Sequence, residues 1–280
     1  MVIAVLLLVG LCLGSFVNAL VWRLREQELE TGKKKPNKEY LKQLSIRGGR
    51  SMCPHCKHEL AAKDLVPLLS WLSVRGRCRY CHKPISAQYP LVELITAGLF
   101  AASYLWWPVA FSTSQKVIFV FWLALIVGFM ALIVYDLRWQ LLPNRIVYPL
   151  GVVAALLACV AVASAGDPIK ALLDTALAVL IGGGIFYALF QFSEGKWIGG
   201  GDVKLGWLLG LVVGTPGKSF LLIFLGALFG SLVSLPLLAS KKLQRTSTIP
   251  FGPFLIVGAI IAYLFGTDIL HWYRDTFINL

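Results

Sequence analysis

The sequence predicts an all-α polytopic membrane protein of about eight transmembrane helices, with a small cysteine-rich domain inserted after the first. Three observations carry this. The chain is 58% hydrophobic and only 14% charged, with mean hydropathy +0.74, whereas soluble domains carry about 25% charged residues. Its charges leave long windows almost empty, among them Met1–Leu20, Lys116–Tyr135 and Phe220–Leu238. Four cysteines stand in two C-x-x-C pairs inside the one sizeable polar stretch.

Runs of about 20 apolar residues cross a hydrocarbon core of roughly 30 Å. The expected spans are 2–21, 90–107, 117–135, 146–165, 169–190, 203–215, 219–239 and 251–270. All are expected as helices, because lipid offers no partner for open backbone groups. The sixth is short and glycine-rich. Proline and glycine punctuate the rest: Pro143 ends the third helix, and Gly182, Gly183 and Gly184 inside the fifth allow close helix packing. An even count places both termini on one side. Basic residues say which side. Alternate loops carry 15 (22–89), 2 (136–145), 2 (191–204) and 3 (240–250) of the 26 lysines and arginines. The other side holds only Lys116, Lys170, Lys218 and Arg274. The heavy side is therefore cytoplasmic and the N-terminus faces out. "GLCLGSFVNALVWRLR" runs from apolar to basic without a cleavage site, as a retained helix does and a signal peptide does not.

The expected organisation is a first span (1–21), a cytoplasmic domain (22–89) and a membrane domain (90–280). The loop opens with the charged "LREQELETGKKKPNKEY", a solvated helix or linker. Cys53, Cys56, Cys78 and Cys81 then give C-x2-C-x21-C-x2-C. Each pair sits on a tight turn that aims two sulfurs at one point, so two such knuckles make a tetrahedral thiolate site suited to Zn2+. Four thiolates leave no open position, so the metal is structural and staples a short loop. Reducing cytosol disfavours disulfides here. His55, His58 and His82 flank the cysteines, in solvated or supporting positions, and Cys12 and Cys159 read as small apolar residues inside helices. The loop has net charge +9, which suits anionic lipid better than nucleic acid; no nucleic-acid partner is expected.

Carboxylates at membrane depth are costly and are functional candidates by default. Glu93, in "QYPLVELI", complements a helix dipole near its N-terminus. Asp174 lies near the outer surface, within reach of Lys170. Asp136 and Asp202 differ. Asp136 ends the third helix and Asp202 begins the sixth, directly after Gly199, Gly200 and Gly201, so both fall at the cytoplasmic end of a span. If those helices pack, the carboxylates meet and share a proton, the arrangement an aspartic protease uses. The glycines weaken helix by about 1 kcal/mol each and let backbone approach an extended peptide. Lys204 lies on the other side of that helix, toward lipid phosphate or substrate. The bland alternative is that both aspartates are merely solvated interfacial residues.

"GGGD" also fits the G-x-G-D motif of aspartyl proteases. Together with "GSFVNALVWRL", "DLVPLLSWLSVRGRCRYC", "YPLVELI", "YDLRWQLLPN" and "PFGPFL", in that chain order, it makes the sequence resemble the prepilin peptidases (type IV leader peptidases) from about residue 14 to 258. The resemblance implies cleavage of the short basic leader of type IV prepilins or type II secretion pseudopilins after a glycine, at the bacterial inner membrane, with Asp136 and Asp202 catalytic. In members with the cysteine loop it also implies N-methylation of the new terminus from S-adenosyl-methionine. No motif places that donor, because the glycine-rich pieces do not follow a strand in a βαβ unit. Gly199, Gly200, Gly201, Glu93 and Lys204 are candidate substrate contacts. A basic leader is not drawn to a +9 loop, so either it avoids the loop or Glu26, Glu28, Glu30 and Glu93 offer an acidic path.

Other classes make different demands. An ion transporter with a zinc sensor loop needs polar residues along one route through the bilayer, whereas these acids divide between the two surfaces. A membrane methyltransferase without peptidase activity would use the two aspartates to bind the donor or the substrate amine, and a third class is a purely structural assembly protein of a secretion system. The oligomeric state is not legible.

Overall fold

The computed structural model describes residues 1–46, 48–240 and 249–277. Arg47, Lys241, Lys242 and Arg245, which the charge asymmetry uses, lie outside the described residues. Two compact units divide the chain, Met1–Leu105 and Trp106–Leu280. The helix that follows the cysteine loop packs on the first helix and lies in the first unit.

All eight expected spans are helices, and no strand forms among the described residues. In the first unit, α1 is Val2–Thr31 and α4 is Gln88–Leu105, with α2 (Lys38–Gln43), a 3-10 turn (Ala62–Asp64) and α3 (Leu69–Ser73) between them. α1 runs ten residues past its expected end, so "LREQELET" is the solvated continuation of a membrane helix rather than a linker. α1 and α4 cross closely because glycines face backbone: a Cβ on Gly10 would lie 2.6 Å from Ala97 Cα, and one on Gly14 2.7 Å from Glu93 Cα. This small-xxx-small pairing drives helix association where lipid gives no hydrophobic incentive.

In the second unit the helices are α5 (Thr113–Trp139), α6 (Asn144–Ala163), α7 (Pro168–Phe192), α8 (Gly200–Val213), α9 (Pro216–Ala239) and α10 (Gly252–Phe277). Their ends follow local chemistry. The Ser112 side chain caps α5 and the Asp167 side chain caps α7, with Pro168 at its first position. Gln140 and Gly214 end α5 and α8 in the left-handed region, the usual stop. α5 is the core: Trp122, Leu125, Ile126, Phe129, Leu132 and Tyr135 are fully buried. It packs on α6 and α10; α8 packs on α7, α6 and α10; α9 packs on α10 and α7. Gly182 stacks on Gly206 and Gly183 on the Trp207 ring, so two of the three glycines of α7 are contact points.

Six helices are long and apolar enough to cross a membrane: α1, α5, α6, α7, α9 and α10. α4 begins with polar residues and carries Glu93. α8 has 14 residues, about 21 Å of helix, less than a hydrocarbon core, and its contacts lie with protein rather than lipid. The chain is an integral membrane protein.

Candidate active site and metal centre

The cysteine domain is built from two copies of one turn. In the first, Cys53 N–H donates to the His58 carbonyl and Lys57 N–H to that of Cys53; in the second, Cys78 N–H donates to the Lys83 carbonyl and His82 N–H to that of Cys78, all at 2.9 Å. The residue after each second cysteine, Lys57 or His82, takes φ near +57°, which closes the turn. Bridges Met52–Glu59 and Arg77–Pro84 zip the two bases. All four sulfurs then lie within 4.8 Å of one another, and Cys53 Sγ is 3.9 Å from Cys81 Sγ. A Zn–S bond of roughly 2.3 Å puts tetrahedral sulfurs about 3.8 Å apart, so the donor set and its size fit a metal. No described cysteine is in a disulfide. Burial pushes the Cys78 thiol up, but the Cys81 and Tyr80 amides and the Cys53 and Cys81 thiols outweigh it, down to about 7. The Lys83 amide favours the Cys81 thiolate, but burial and the Cys78 and Cys56 thiols push it up. One thiolate opposes the next, and a cation removes that conflict.

The histidines are not ligands: among the described residues only the cysteines cluster, and His58 stacks on Tyr80 at 3.7 Å. Two clamps hold the knuckles to the rest of the unit. Lys57 Nζ donates to Tyr40 Oη at 2.7 Å and to Glu26 at 3.3 Å, over the Trp22 ring of α1. Asp64 accepts from Arg79 at 2.8 Å and from Tyr80 Oη at 3.0 Å.

Glu93 is buried in the second turn of α4. Its carboxylate accepts the Leu68 N–H at 2.8 Å and the Ser15 hydroxyl. That bond fixes Leu68 at φ +58°, a conformation costly for leucine. Beside the dipole role expected of it, Glu93 thus anchors the loop. The proposed acidic path is likewise occupied: Glu26 pairs with Lys57, Glu28 with Arg25 and Glu30 with Lys33.

In the second unit, Asp136 is buried near the C-terminus of α5. Its carboxylate accepts the N–H of Gly252, the first residue of α10. A Cβ on Gly252 would lie 2.6 Å from Asp136 Oδ2 and 3.5 Å from Leu205 Cδ2 of α8. Asp202 is the third residue of α8 and reaches back to the Gly199 N–H at the N-cap, half of a capping box. Asp136 and Asp202 lie close enough to repel electrostatically. The segments also touch directly: a Cβ on Gly201 would lie 3.3 Å from Leu142, and Lys204 donates to Asn144 Oδ1 at 2.9 Å.

Each predicted residue thus has a place. Gly199 is the N-cap, and Gly200 and Gly201 form the first turn of α8 rather than a break before it. Lys204, though exposed, is tied to Asn144 and lies over Tyr148, linking α8 to α6. Asp174 makes no ion pair with Lys170 among the described residues; the Lys170 backbone goes to Asp167. Sequence reasoning gave no role to Gly252, Leu142 or Asn144. The signal for Gly252 was a Gly-Pro at the start of a membrane helix.

Apolar spans, four cysteines placed to hold a metal and two aspartates that interact electrostatically, one near the end of α5 and one at the start of α8, define an integral membrane protein. Residues 8–107 match the bacterial peptidase A24 N-terminal domain and residues 118–235 the type IV leader peptidase family. The chain is 33% identical to a prepilin leader peptidase/N-methyltransferase of Aeromonas hydrophila, covering 97% of this chain and 93% of the relative. It is 31% identical to the protein of that name from Bacillus subtilis, over 97% of each. It is 35% identical to the type 4 prepilin-like proteins leader peptide-processing enzyme of an Escherichia coli strain, over 90% and 89%. No solved structure matches. The chain belongs to the type IV leader peptidase family, a family of aspartic peptidases.

Proposed function

We propose that this protein is a bifunctional leader peptidase and N-methyltransferase. It removes the short basic leader of a type IV prepilin or a type II secretion pseudopilin after a glycine, then methylates the new N-terminal amine. The observation that carries the peptidase reading is that Asp136, held by the Gly252 N–H beside Leu205 of α8, acts electrostatically on Asp202 at the start of that helix. Asp136 and Asp202 are the catalytic pair. One carboxylate, ionised, takes a proton from water; that water attacks the scissile carbonyl, while the protonated partner donates to the carbonyl oxygen. The tetrahedral species collapses as the leaving amine takes up a proton, and the leader departs. The first turn of α8, with Gly199, Gly200 and Gly201, offers backbone that a substrate strand can approach closely.

The four thiols hold structural Zn2+. S-adenosyl-methionine, bound to the enzyme, supplies the methyl group; none of the residues described is assigned to it. The basic loops face the cytoplasm and the N-terminus faces out, in the bacterial inner membrane, with lipid and the pilin substrates as partners. Purified protein, a prepilin and S-adenosyl-methionine, followed by mass spectrometry, test this reading. The expected product has lost its leader and gained one methyl group. A methylated but uncut product would exclude the peptidase assignment.

A further inference from the structure

At the far end of the second unit from Asp136 and Asp202 lies a cavity of about 270 Å³. From Asp136 back to Gln115, α5 runs about 30 Å, the thickness of a hydrocarbon core, so the cavity opens at the opposite membrane interface. Among its walls are Trp107, Gln115, Asp174, Thr175, Lys218 and Tyr263. Trp107 donates to Gln115 at 3.3 Å and its ring lies 5.7 Å from Tyr263, an aromatic edge of the kind found at headgroup depth.

Two opposite charges share this cavity without forming an ion pair, and Lys218 Nζ lies over the Tyr263 ring, 6.0 Å from its centroid. Lys218 is the third residue of α9, at the positive end of the helix dipole, and Thr215 provides no side-chain cap there. A cation at that end is disfavoured unless an anion joins it. Asp268 acts on Lys218 electrostatically but is exposed and makes no ion pair with it. Asp174 lines the same cavity without an ion pair to Lys218 or to any other described residue. A cation and an anion that share a cavity without meeting suit a ligand carrying both signs. Beside the cavity, α7 and α9 turn Leu173, Leu177, Phe220 and Phe224 outward, an apolar surface along which acyl chains can lie.

We propose that this cavity binds the headgroup of a phospholipid that joins a phosphate to a primary ammonium, as in phosphatidylethanolamine. The phosphate sits on Lys218 and the first turn of α9; the ammonium sits on Asp174, beside the Trp107 ring.

The test uses the full purified chain in detergent, titrated with dioleoyl phosphatidylethanolamine, phosphatidylcholine or phosphatidylglycerol, or with free phosphoethanolamine, and read by thermal unfolding. Phosphatidylethanolamine is expected to raise the Tm at the lowest concentration, and free phosphoethanolamine to act only weakly. Lys218→Gln should weaken phosphatidylethanolamine binding roughly 10-fold, the loss of one charge-assisted hydrogen bond. Asp174→Asn should weaken it similarly but leave phosphatidylglycerol unchanged. Equal effects of phosphatidylethanolamine and phosphatidylglycerol on the unaltered chain would overturn the ammonium contact. Unaltered phosphatidylethanolamine binding in Lys218→Gln would overturn the site. If a variant does not fold, native mass spectrometry of the unaltered chain decides: preferential retention of phosphatidylethanolamine supports the proposal and indiscriminate retention ends it.

Discussion

The knuckles of the first unit and the carboxylate centre of the second are built on opposite plans. In the knuckles, ligands lie three residues apart, each pair is positioned by its own turn, and the second turn repeats the first hydrogen bond for hydrogen bond. In the carboxylate centre no two participants are neighbours in the chain. Asp136 comes from the end of α5, Asp202 from the start of α8, and the N–H that fixes Asp136 comes from the start of α10. A local site tolerates movement of the scaffold; an assembled site inherits every shift of its helices. Four thiols set by their own turns need only those turns, whereas two carboxylates on different helices depend on how the helices pack.

The sharpest way to break this contrast is at the carboxylates. Asp136→Asn and Asp202→Asn should each lower leader cleavage roughly 10³-fold or more, with thermal unfolding and N-methylation of a pre-cut substrate retained. Cleavage by both variants at the normal rate would leave the centre without a role.

Next come the knuckles. Cys53→Ser with Cys56→Ser, or chelation, should release the metal and expose the segment 50–87 to protease, since metal binding is folding free energy here. Methylation should fall further than cleavage. Equal loss of both would mean that the local site supports the assembled one.

Gly252→Ala probes assembly alone. Its Cβ would lie 2.6 Å from Asp136 Oδ2, so the carboxylate must shift or α10 must retreat. Displacement of this order costs roughly 10²-fold in rate. The expected signature is a lower kcat at nearly constant KM, with knuckle metal content unchanged.

The smallest effect is Asp64→Ala. Burial pushes the Asp64 carboxyl up, but Arg79, Tyr80 and the Ala61 N–H outweigh it and hold it below its ordinary value. A carboxyl lowered in the folded state contributes stability above its unfolded pKa and loses it as pH falls through the folded one. Asp64→Ala should therefore increase protease sensitivity of the loop at pH 7, with the difference from the unaltered protein vanishing in acid. Arg79 is 40% exposed, so the effect is about 1 kcal/mol or less.

Much of this was legible in the sequence because its signals are local. Each expected helix forms, since long apolar runs satisfy their own backbone groups as helices. The cysteine spacing likewise contains its own geometry. Asp136 and Asp202 were identifiable as candidates from depth alone. Other side chains have distant partners that no local signal shows. Glu93, expected as a dipole complement, also accepts an N–H from Leu68, far along the chain. Lys204, still exposed, donates to Asn144 across 60 residues of chain.

By itself the sequence determined which segments become helices and which side chains can hold a metal, because hydrophobic run length and ligand spacing are properties of neighbouring residues. Only the tertiary structure decided that Gly252 holds Asp136, that Gly201 admits Leu142, and that Lys218 and Asp174 share a cavity without meeting. Those relations exist only after helices pack, where the absence of one Cβ sets the approach of two backbones.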